Sequence, residues 1–337
     1  MRRRALVALL FAGLAAGVGF RLGDTALRHR SEKRSVAVVS EIVASGDWLF
    51  PQLGGVPHLQ KPPLYYWAGA LSATALGEPS PLAVRLVSAL AGLALAATVF
   101  VYAGRALGPD HALACTVALA AMGQFWISAR LGTADMLLVA FTTAALFAFE
   151  RGRVRWLAAL VALAFLTKAT AALVDVLAPI AVWLAWQRRL RAALRPEVLG
   201  WAALSAAAGL WWYVAALALV PEAPARLREF FFVPLGAGHS DLASDHYHPV
   251  WWYLPRFLGA AAPAIVLLPF VIRDGWRSRF WRGAPVLRFA ATSALALFVV
   301  WSVVPQKGRH YLLPILPFFA LLVGDSTLRL ARGARQP

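Results

Sequence analysis

Long apolar segments separated by short polar connections run along the whole chain. Each is close to the roughly 20 residues that an α-helix needs to cross a bilayer, and the two-residue alternation of a membrane β-barrel is absent. The pattern predicts an all-α polytopic membrane protein with about ten transmembrane helices. The predicted spans are residues 5–21, 81–103, 111–128, 134–150, 155–168, 170–187, 198–220, 255–272, 287–304 and 311–330. The fifth and sixth form either one long helix or a short helix followed by a re-entrant piece around Lys168.

Two longer polar connections, residues 22–80 and 221–254, interrupt this pattern. Loops of that length are usually functional. The first contains SEKRSVAVVSEIVASG, whose apolar spacing predicts a short amphipathic helix along the membrane surface. No linker or change of composition divides the chain. We therefore expect a single membrane domain over residues 1–337, without a soluble C-terminal domain.

Composition agrees with a membrane location, since 60% of the residues are hydrophobic and 15% are charged. A soluble chain needs more polar surface than that. The net charge of +17 would suit nucleic acid, but the arginines collect in short loops, as the positive-inside rule requires of a membrane protein. This distribution predicts two cytoplasmic termini and two long loops on the outer face. The start MRRRALVALLFAGLAAGVGF has the features of a signal peptide or of a retained first helix, and the length of its apolar run favours the helix.

Lysine is rare in this chain, because only four of its 33 basic residues are lysines: Lys33, Lys61, Lys168 and Lys307. All four fall in the predicted outer half, against the topological bias. Chance and snorkelling account for such cations, and for Lys33 this explanation carries about as much weight as a functional one. Cations that converge at the outer edge of a helix bundle suit a phosphate ligand. The lysines therefore indicate a phosphate site on the outer face.

Acidic and histidine side chains supply further candidates in the same half. Glu32 and Asp135 are candidate general bases. The alternatives are a solvated helix face for Glu32 and a helix N-cap for Asp135. The stretch HSDLASDHYHPVWWY combines histidines and aspartates in the second long loop. It has the character of a metal site, although a polar loop with local hydrogen bonds explains it better.

In combination, these stretches resemble the bacterial lipid-linked-sugar glycosyltransferases of the GT-C fold, which include lipid A aminoarabinose transferases and protein O-mannosyltransferases. The main matching stretch is SEKRSVAVVSEIVASGDWLFPQLGGVPHLQKPPLYYWAGALSATALG. The matching positions in it are Gly46, Asp47, Trp48, Gly55, Lys61, Pro62, Pro63, Tyr66 and Trp67. Later resemblances follow in family order: ARLGTADM, FLTKAT, HYHPVWWYLP and PQKGRHYLLPILPFFALLVG.

The resemblance implies an inverting, carboxylate-assisted transfer of a sugar from a polyprenyl-phosphate donor to a lipid, glycan or protein acceptor. The reaction would take place on the periplasmic face of a bacterial inner membrane. No nucleotide is needed, which agrees with the lack of a glycine-rich phosphate motif. Two alternatives remain open: a transporter or flippase for lipid-linked sugars, and a relative that binds such a lipid without turnover.

The resemblance also implies roles for individual residues, with Glu32 and Asp135 as catalytic carboxylates. The predicted donor phosphate and lipid site is Lys61, Arg34, Lys307, Arg309, His310 and Tyr311. The predicted sugar or lipid path is Trp48, Tyr66, Trp67, His246 and His248. Two positions depart from the family pattern, because Ser31 stands where relatives have Asp and Gln60 where they have a Glu that can help to bind a metal. We therefore predict no cofactor and leave the metal set empty, with a divalent metal as an open alternative.

Overall fold

The computed structural model describes residues 2–27, 29–232, 247–277 and 284–333, and the regular structure within them is helical, without a β-strand. The all-α prediction is therefore confirmed. The α-helices in the described residues are α1 Arg2–Gly19, α2 Arg30–Ser45, α3 Leu64–Leu76, α4 Pro81–Leu107, α5 Pro109–Ala120, α6 Gly123–Arg130, α7 Asp135–Glu150, α8 Val154–Trp186, α9 Pro196–Leu219, α10 Ala223–Phe232, α11 Tyr253–Ala260, α12 Leu268–Trp276, α13 Pro285–Val303 and α14 Leu316–Gly333. Short 3-10 helices occupy Leu190–Leu194, Val250–Trp252, Ala264–Leu267 and Arg309–Ile315.

Five helical segments in the described residues are long and apolar enough to cross a membrane. They are Pro81–Leu107, Val154–Trp186, Pro196–Leu219, Pro285–Val303 and Arg309–Gly333. A sixth span results if α6 and α7, which meet at a bend of 119°, count as one broken span. The protein is thus a multi-pass membrane protein, and the total of ten spans stays a prediction.

Two predicted spans, 111–128 and 255–272, are wrong as continuous helices. The first is divided into α5 and α6, and the second into α11 and α12 with a cis Ala262–Pro263 bond between them. The two interruptions pair with each other, because the Gly123 amide donates to the Ala262 carbonyl at 2.8 Å. Hydropathy did not reveal these breaks, because the residues at them are as apolar as their neighbours.

Helix α8 covers the residues of the fifth and sixth predicted spans. It runs from Val154 to Trp186 and is made of two helical segments that meet at a kink at Lys168, whose backbone is not helical (φ −160°, ψ 82°). The kink lies where the sequence predicted a possible interruption, and the choice between one long helix and a short helix with a re-entrant piece stays open. The break turns the backbone at the one lysine of α8.

The core of the bundle lies around α7, which packs against α4 and α8, while α14 packs against α5. Small residues allow these close crossings, as is common between membrane helices. A Cβ atom on Gly324 of α14 would lie 2.6 Å from Cys115 Sγ of α5. The two backbones can therefore approach closely only with glycine at this position.

The predicted amphipathic helix is present as α2, and its buried face is Val38, Val39 and Ile42, at helical spacing. It ends at Gly46, which adopts the left-handed conformation (φ +71°) and donates its amide to the Ile42 carbonyl. Helix α3, which the hydropathy pattern had left inside the first outer loop, packs against α2 and α4. This packing holds the segment between α2 and α3 against the end of the bundle.

Candidate functional site

The centre of the candidate site is an ion pair between Asp135 and Lys168. Asp135 is the first residue of α7, and its Oδ1 accepts a hydrogen bond of 2.9 Å from Lys168 Nζ. The Thr133 hydroxyl donates to the other oxygen, Oδ2, at 3.0 Å. Ala134 holds the N-cap position of α7, so the interpretation of Asp135 as an N-cap is wrong. The side chains of Asp135 and Lys168 are 18% and 17% exposed, which leaves the pair accessible to a ligand.

An aromatic stack lies beside the Lys168 ammonium, which is 4.9 Å from the ring centroid of Tyr311. The Tyr311 ring stacks on Trp301 with centroids 4.1 Å apart and planes 3° apart. Trp301 Nε1 in turn donates a 2.8 Å hydrogen bond to Asp175 Oδ1, which is buried. Asp175 thus fixes the aromatic stack on which Lys168 rests.

Trp301 and Asp175 are not among the site residues predicted from the sequence, and Lys168 stands among the rare lysines without a place in the predicted phosphate site. A signal was available for Asp175, because an acid inside an apolar span is costly and is usually paired or functional. For Trp301 there was none, since tryptophans are common in this chain.

Lys61 lies in the turn that leads into α3 and is partly buried. The pKa of Lys61 is lowered to about 8, mainly by burial and also by the positive charges of Lys168 and Arg34, while the charge of Asp135 acts in the opposite direction. Arg34, Asp135 and Lys168 therefore lie close enough to Lys61 for their charges to act on it. We call Arg34, Lys61, Asp135 and Lys168 the charged cluster.

The turn before Lys61 adds two polar side chains to this region. Arg34 Nη1 donates to Gln60 Oε1 at 3.5 Å, which joins α2 to the turn. Burial, followed by the charges of Arg34 and Lys61, lowers the pKa of His58 to about 4. Its imidazole is therefore neutral at neutral pH.

Among the described residues there is no group of three or more His, Cys, Asp or Glu side chains placed to hold a metal ion.

Glu32, the other predicted catalytic carboxylate, is engaged in a different way. Arg85 donates to both of its oxygens at 2.8 and 3.1 Å, and the Gly132 amide donates to Oε1 at 2.9 Å. Its side chain is 2% exposed, so the interpretation as a solvated helix face is wrong. Because these donors occupy the carboxylate in a closed environment, the geometry gives Glu32 the role of joining α2 and α4 to the turn before Asp135.

The predicted site residues between Lys307 and Tyr311 lie in two different surroundings. The Lys307 ammonium is buried, donates to the Val304 carbonyl and lies 6.0 Å from the ring centroid of Tyr253. These contacts do not join it to the charged cluster. His310 and Tyr311 have ring centroids 4.3 Å apart, so His310 lies near Lys168 through Tyr311. Arg309 is exposed.

The residues predicted to form the sugar or lipid path occupy two separate surfaces. Trp67 donates its Nε1 hydrogen to the Trp48 carbonyl and stacks on Trp211, while Tyr66 is buried beside His58. His248 lies on the second surface, away from these contacts.

The second surface is formed by the end of the second long loop. The His248 ring stacks on Trp252 with centroids 4.4 Å apart, and its amide donates to the Pro305 carbonyl. This contact brings the loop end to the segment that contains Lys307. His246 lies outside the described residues.

Sequence comparisons agree with the family resemblance. The family model described as dolichyl-phosphate-mannose-protein mannosyltransferase matches residues 60–214. An undecaprenyl phosphate-α-4-amino-4-deoxy-L-arabinose arabinosyl transferase from Shewanella sediminis is 29% identical over 91% of this chain and 57% of its own length. The protein of the same description from Pseudomonas aeruginosa strain UCBPP-PA14 is 30% identical over 98% of this chain and 61% of its own length.

Solved structures show the same fold. ArnT from Cupriavidus metallidurans in the apo state superposes with a TM-score of 0.85 and 23% identity, over 99% of this chain and 62% of that protein. The form of ArnT bound to undecaprenyl phosphate gives 0.81 over 96% of this chain and 60% of that protein, also at 23% identity. The Archaeoglobus fulgidus oligosaccharyltransferase in the apo form gives 0.57 at 12% identity, over 98% of this chain and 51% of that protein.

The GT-C-like fold and the resemblance to lipid-linked-sugar glycosyltransferases are confirmed by these comparisons. The chain spans about three-fifths of the length of the relatives that it matches.

Proposed function

We propose that this chain, a relative of the undecaprenyl-phosphate aminoarabinose transferases, moves a sugar from a polyprenyl-phosphate donor to an acceptor at the membrane surface. The observation that carries the proposal is the grouping of Arg34, Asp135 and Lys168 around Lys61, with Lys168 bonded to Asp135. Three cations against one acid leave an excess of positive charge, and a phosphate group would neutralise it. A polyprenyl chain attached to that phosphate would lie between the helices.

Catalysis in this proposal is a single displacement at the anomeric carbon. Asp135 takes the proton of the acceptor hydroxyl, and the acceptor oxygen forms the new bond to the sugar. The bond between the sugar and the phosphate oxygen breaks on the opposite face of the sugar, and polyprenyl phosphate leaves with the electron pair. Lys61 and Lys168 stabilise the negative charge that grows on the leaving phosphate. The proposal uses no metal.

Glu32 has a structural role in this proposal. Its ion pair with Arg85 and its hydrogen bond with Gly132 position the turn that precedes Asp135. Lys307, whose ammonium is bound to the Val304 carbonyl, supports the loop end instead of the phosphate. His310 and Tyr311 remain in the phosphate site, because they lie beside Lys168.

The location that we propose is a bacterial cytoplasmic membrane, with both termini in the cytoplasm and the charged cluster at the periplasmic face. The distribution of arginines supports this orientation. The cluster draws residues from α2, the turn before α3, α7 and α8, which supports a single membrane domain.

A second candidate function is binding of the lipid-linked sugar without transfer. Ser31 and Gln60 favour it, because the family pattern that this chain resembles has acids at both positions, and the Gln60 side chain is engaged with Arg34. In that case Asp135 and Lys168 would recognise the donor and would not turn it over.

The experiment that tests the proposal compares the full chain with a Lys61→Ala variant, both reconstituted in nanodiscs. Binding is measured with undecaprenyl phosphate. Transfer is measured with a labelled polyprenyl-phosphate sugar and an extract of envelope lipids and glycans, as the amount of label that moves from the donor to molecules of the extract. We expect transfer to fall roughly 100-fold or more, since one lost donor to a developing oxyanion typically costs that much. Lys33→Ala, which removes an exposed lysine on α2, is the charge-matched control and should leave both values unchanged.

The outcomes separate the two candidates. Binding and transfer that both depend on Lys61 support the transferase. Binding that depends on Lys61, with no transfer by the unaltered chain to any acceptor in the extract, supports the binding protein. Full transfer by Lys61→Ala would refute the proposed site.

A further inference from the structure

A second charged site lies at the other end of the bundle. There, α4, α7 and α8 enclose a groove of about 710 Å³, which is within the range of roughly 300–1,000 Å³ that ligand pockets occupy. Three arginines line it, Arg105, Arg151 and Arg153, together with Trp156 and Tyr102. Neither the lipid-linked donor nor its acceptor is expected at this place.

The position of the groove follows from the lengths of the helices. On α4, Arg105 lies about 20 residues after Arg85, which is roughly 30 Å along a helix axis and matches the thickness of the hydrocarbon core of a bilayer. Helix α7 likewise begins at Asp135 in the charged cluster and ends at Glu150 beside the groove. The groove is therefore at the opposite membrane surface from the charged cluster, and the two sites face different leaflets.

The arginines of the groove are poorly neutralised. Arg151 Nε is 3.9 Å from Glu150 Oε2, at the outer limit of an ion pair. Within the described ranges, neither Arg105 nor Arg153 forms an ion pair, and both are exposed. An anionic group that entered the groove would thus meet three guanidinium groups and little competing negative charge.

The walls of the groove are apolar. Tyr102 forms part of the floor and stacks on Phe147, with centroids 3.6 Å and planes 4° apart. Val101 and Trp156 remain 44% and 63% exposed at the opening. A tryptophan at this level is typical of the membrane interface. The groove therefore joins a cationic rim to an apolar surface that faces the acyl chains.

We propose that this groove binds an anionic phospholipid of the leaflet opposite to the charged cluster. The phosphate would be bound by Arg105, Arg151 and Arg153, and the acyl chains would lie along Val101, Leu160 and Trp156. Basic pockets between membrane helices recognise anionic head groups in this way. Free phosphate is the less suitable ligand, because it would leave the apolar walls exposed. The proposal is independent of the transferase function.

Native mass spectrometry of the purified full chain with added phosphatidylglycerol, cardiolipin or phosphatidylcholine tests the proposal. We expect retention of the anionic lipids over phosphatidylcholine. The double variant Arg105→Gln/Arg153→Gln should bind them roughly 30-fold more weakly, since each arginine near the surface contributes about 1 kcal/mol. Arg155→Gln is the matched control, because Arg155 belongs to the same basic run but lies over the Trp201 ring, outside the groove. It should retain the lipid.

A second measurement needs no change of charge. Brominated phosphatidylglycerol should quench the fluorescence of the unaltered chain more than brominated phosphatidylcholine does, and the difference should disappear in Trp156→Phe. Equal binding of charged and zwitterionic lipids, equal loss in Arg155→Gln and in the double variant, or full competition by inorganic phosphate would each overturn the proposal.

Discussion

The Lys168 ammonium lies between the Asp135 carboxylate, at 2.9 Å, and the face of the Tyr311 ring, at 4.9 Å. Lys168 and Asp135 are 33 residues apart in the chain and come from two different helices. The carboxylate and the ammonium offset each other's charge across this hydrogen bond. The candidate base and a candidate phosphate-binding cation therefore form one hydrogen-bonded pair.

The pair itself gives the first prediction. Asp135→Asn or Lys168→Met should each lower the free energy of unfolding by about 1–3 kcal/mol, because a partly buried charge loses its partner. The double variant should recover much of this stability, since no unpaired charge remains. Transfer should fall 10²–10⁴-fold in all three variants if Asp135 is the base. Chemical unfolding in detergent, together with transfer assays, checks both parts. Additive losses of stability would contradict the coupling.

The lowered pKa of Lys61, about 8, predicts a pH dependence of donor binding. Below pH 8 the ammonium is charged and attracts the phosphate. As the pH rises through this value the charge is lost, so the affinity for undecaprenyl phosphate should fall from pH 7 to pH 9.5. The bound phosphate favours the charged lysine and should move the midpoint somewhat upward.

Lys61→Arg is the control for this dependence, because a guanidinium stays charged over the whole range. Its binding should be nearly independent of pH between 7 and 9.5. A flat profile in the unaltered chain, measured in nanodiscs by equilibrium binding, would show that Lys61 does not act through its charge.

A further prediction separates a structural Glu32 from a catalytic one. Glu32→Gln should cost about 3–5 kcal/mol of unfolding free energy, because it leaves the buried Arg85 guanidinium without its partner. Arg85→Gln should cost a similar amount, and the two losses should not add. Glu78→Gln, at an exposed position, serves as the matched control and should be neutral. A Glu32→Gln protein with full stability and no transfer would instead indicate a catalytic carboxylate.

The aromatic stack leads to a prediction about positioning. Trp301→Phe keeps a ring against Tyr311 but removes the hydrogen bond to Asp175. Asp175→Asn keeps an acceptor for the Trp301 N–H and removes the charge. If Asp175 acts by orienting the stack, Trp301→Phe should lower kcat several-fold with KM little changed, and Asp175→Asn should have a smaller effect. Equal effects of both variants on KM would indicate that the Asp175 charge itself acts on the donor.

Hydropathy and charge patterns determined much of the fold. They predicted the all-α class, several of the spans and the amphipathic helix α2, because periodic apolar residues must be buried or face lipid whatever their partners are. They did not predict the breaks at residues 121–122 and 261–263. The two breaks are joined by the hydrogen bond between the Gly123 amide and the Ala262 carbonyl, which links residues far apart in the chain.

For the site, the sequence by itself singled out the rare lysines and the two acids, because residue type and bias are properties of the chain alone. The tertiary structure decided which of them meet. Asp135 is next to Lys168 because α7 begins where α8 is broken, whereas Glu32 is paired with Arg85 because α2 packs on α4. Lys307 and Lys168 are both rare lysines of the predicted outer half, yet one is bound to a backbone carbonyl and the other to a carboxylate. A charge acts on what lies within a few ångströms of it, and that distance exists only once the helices have packed.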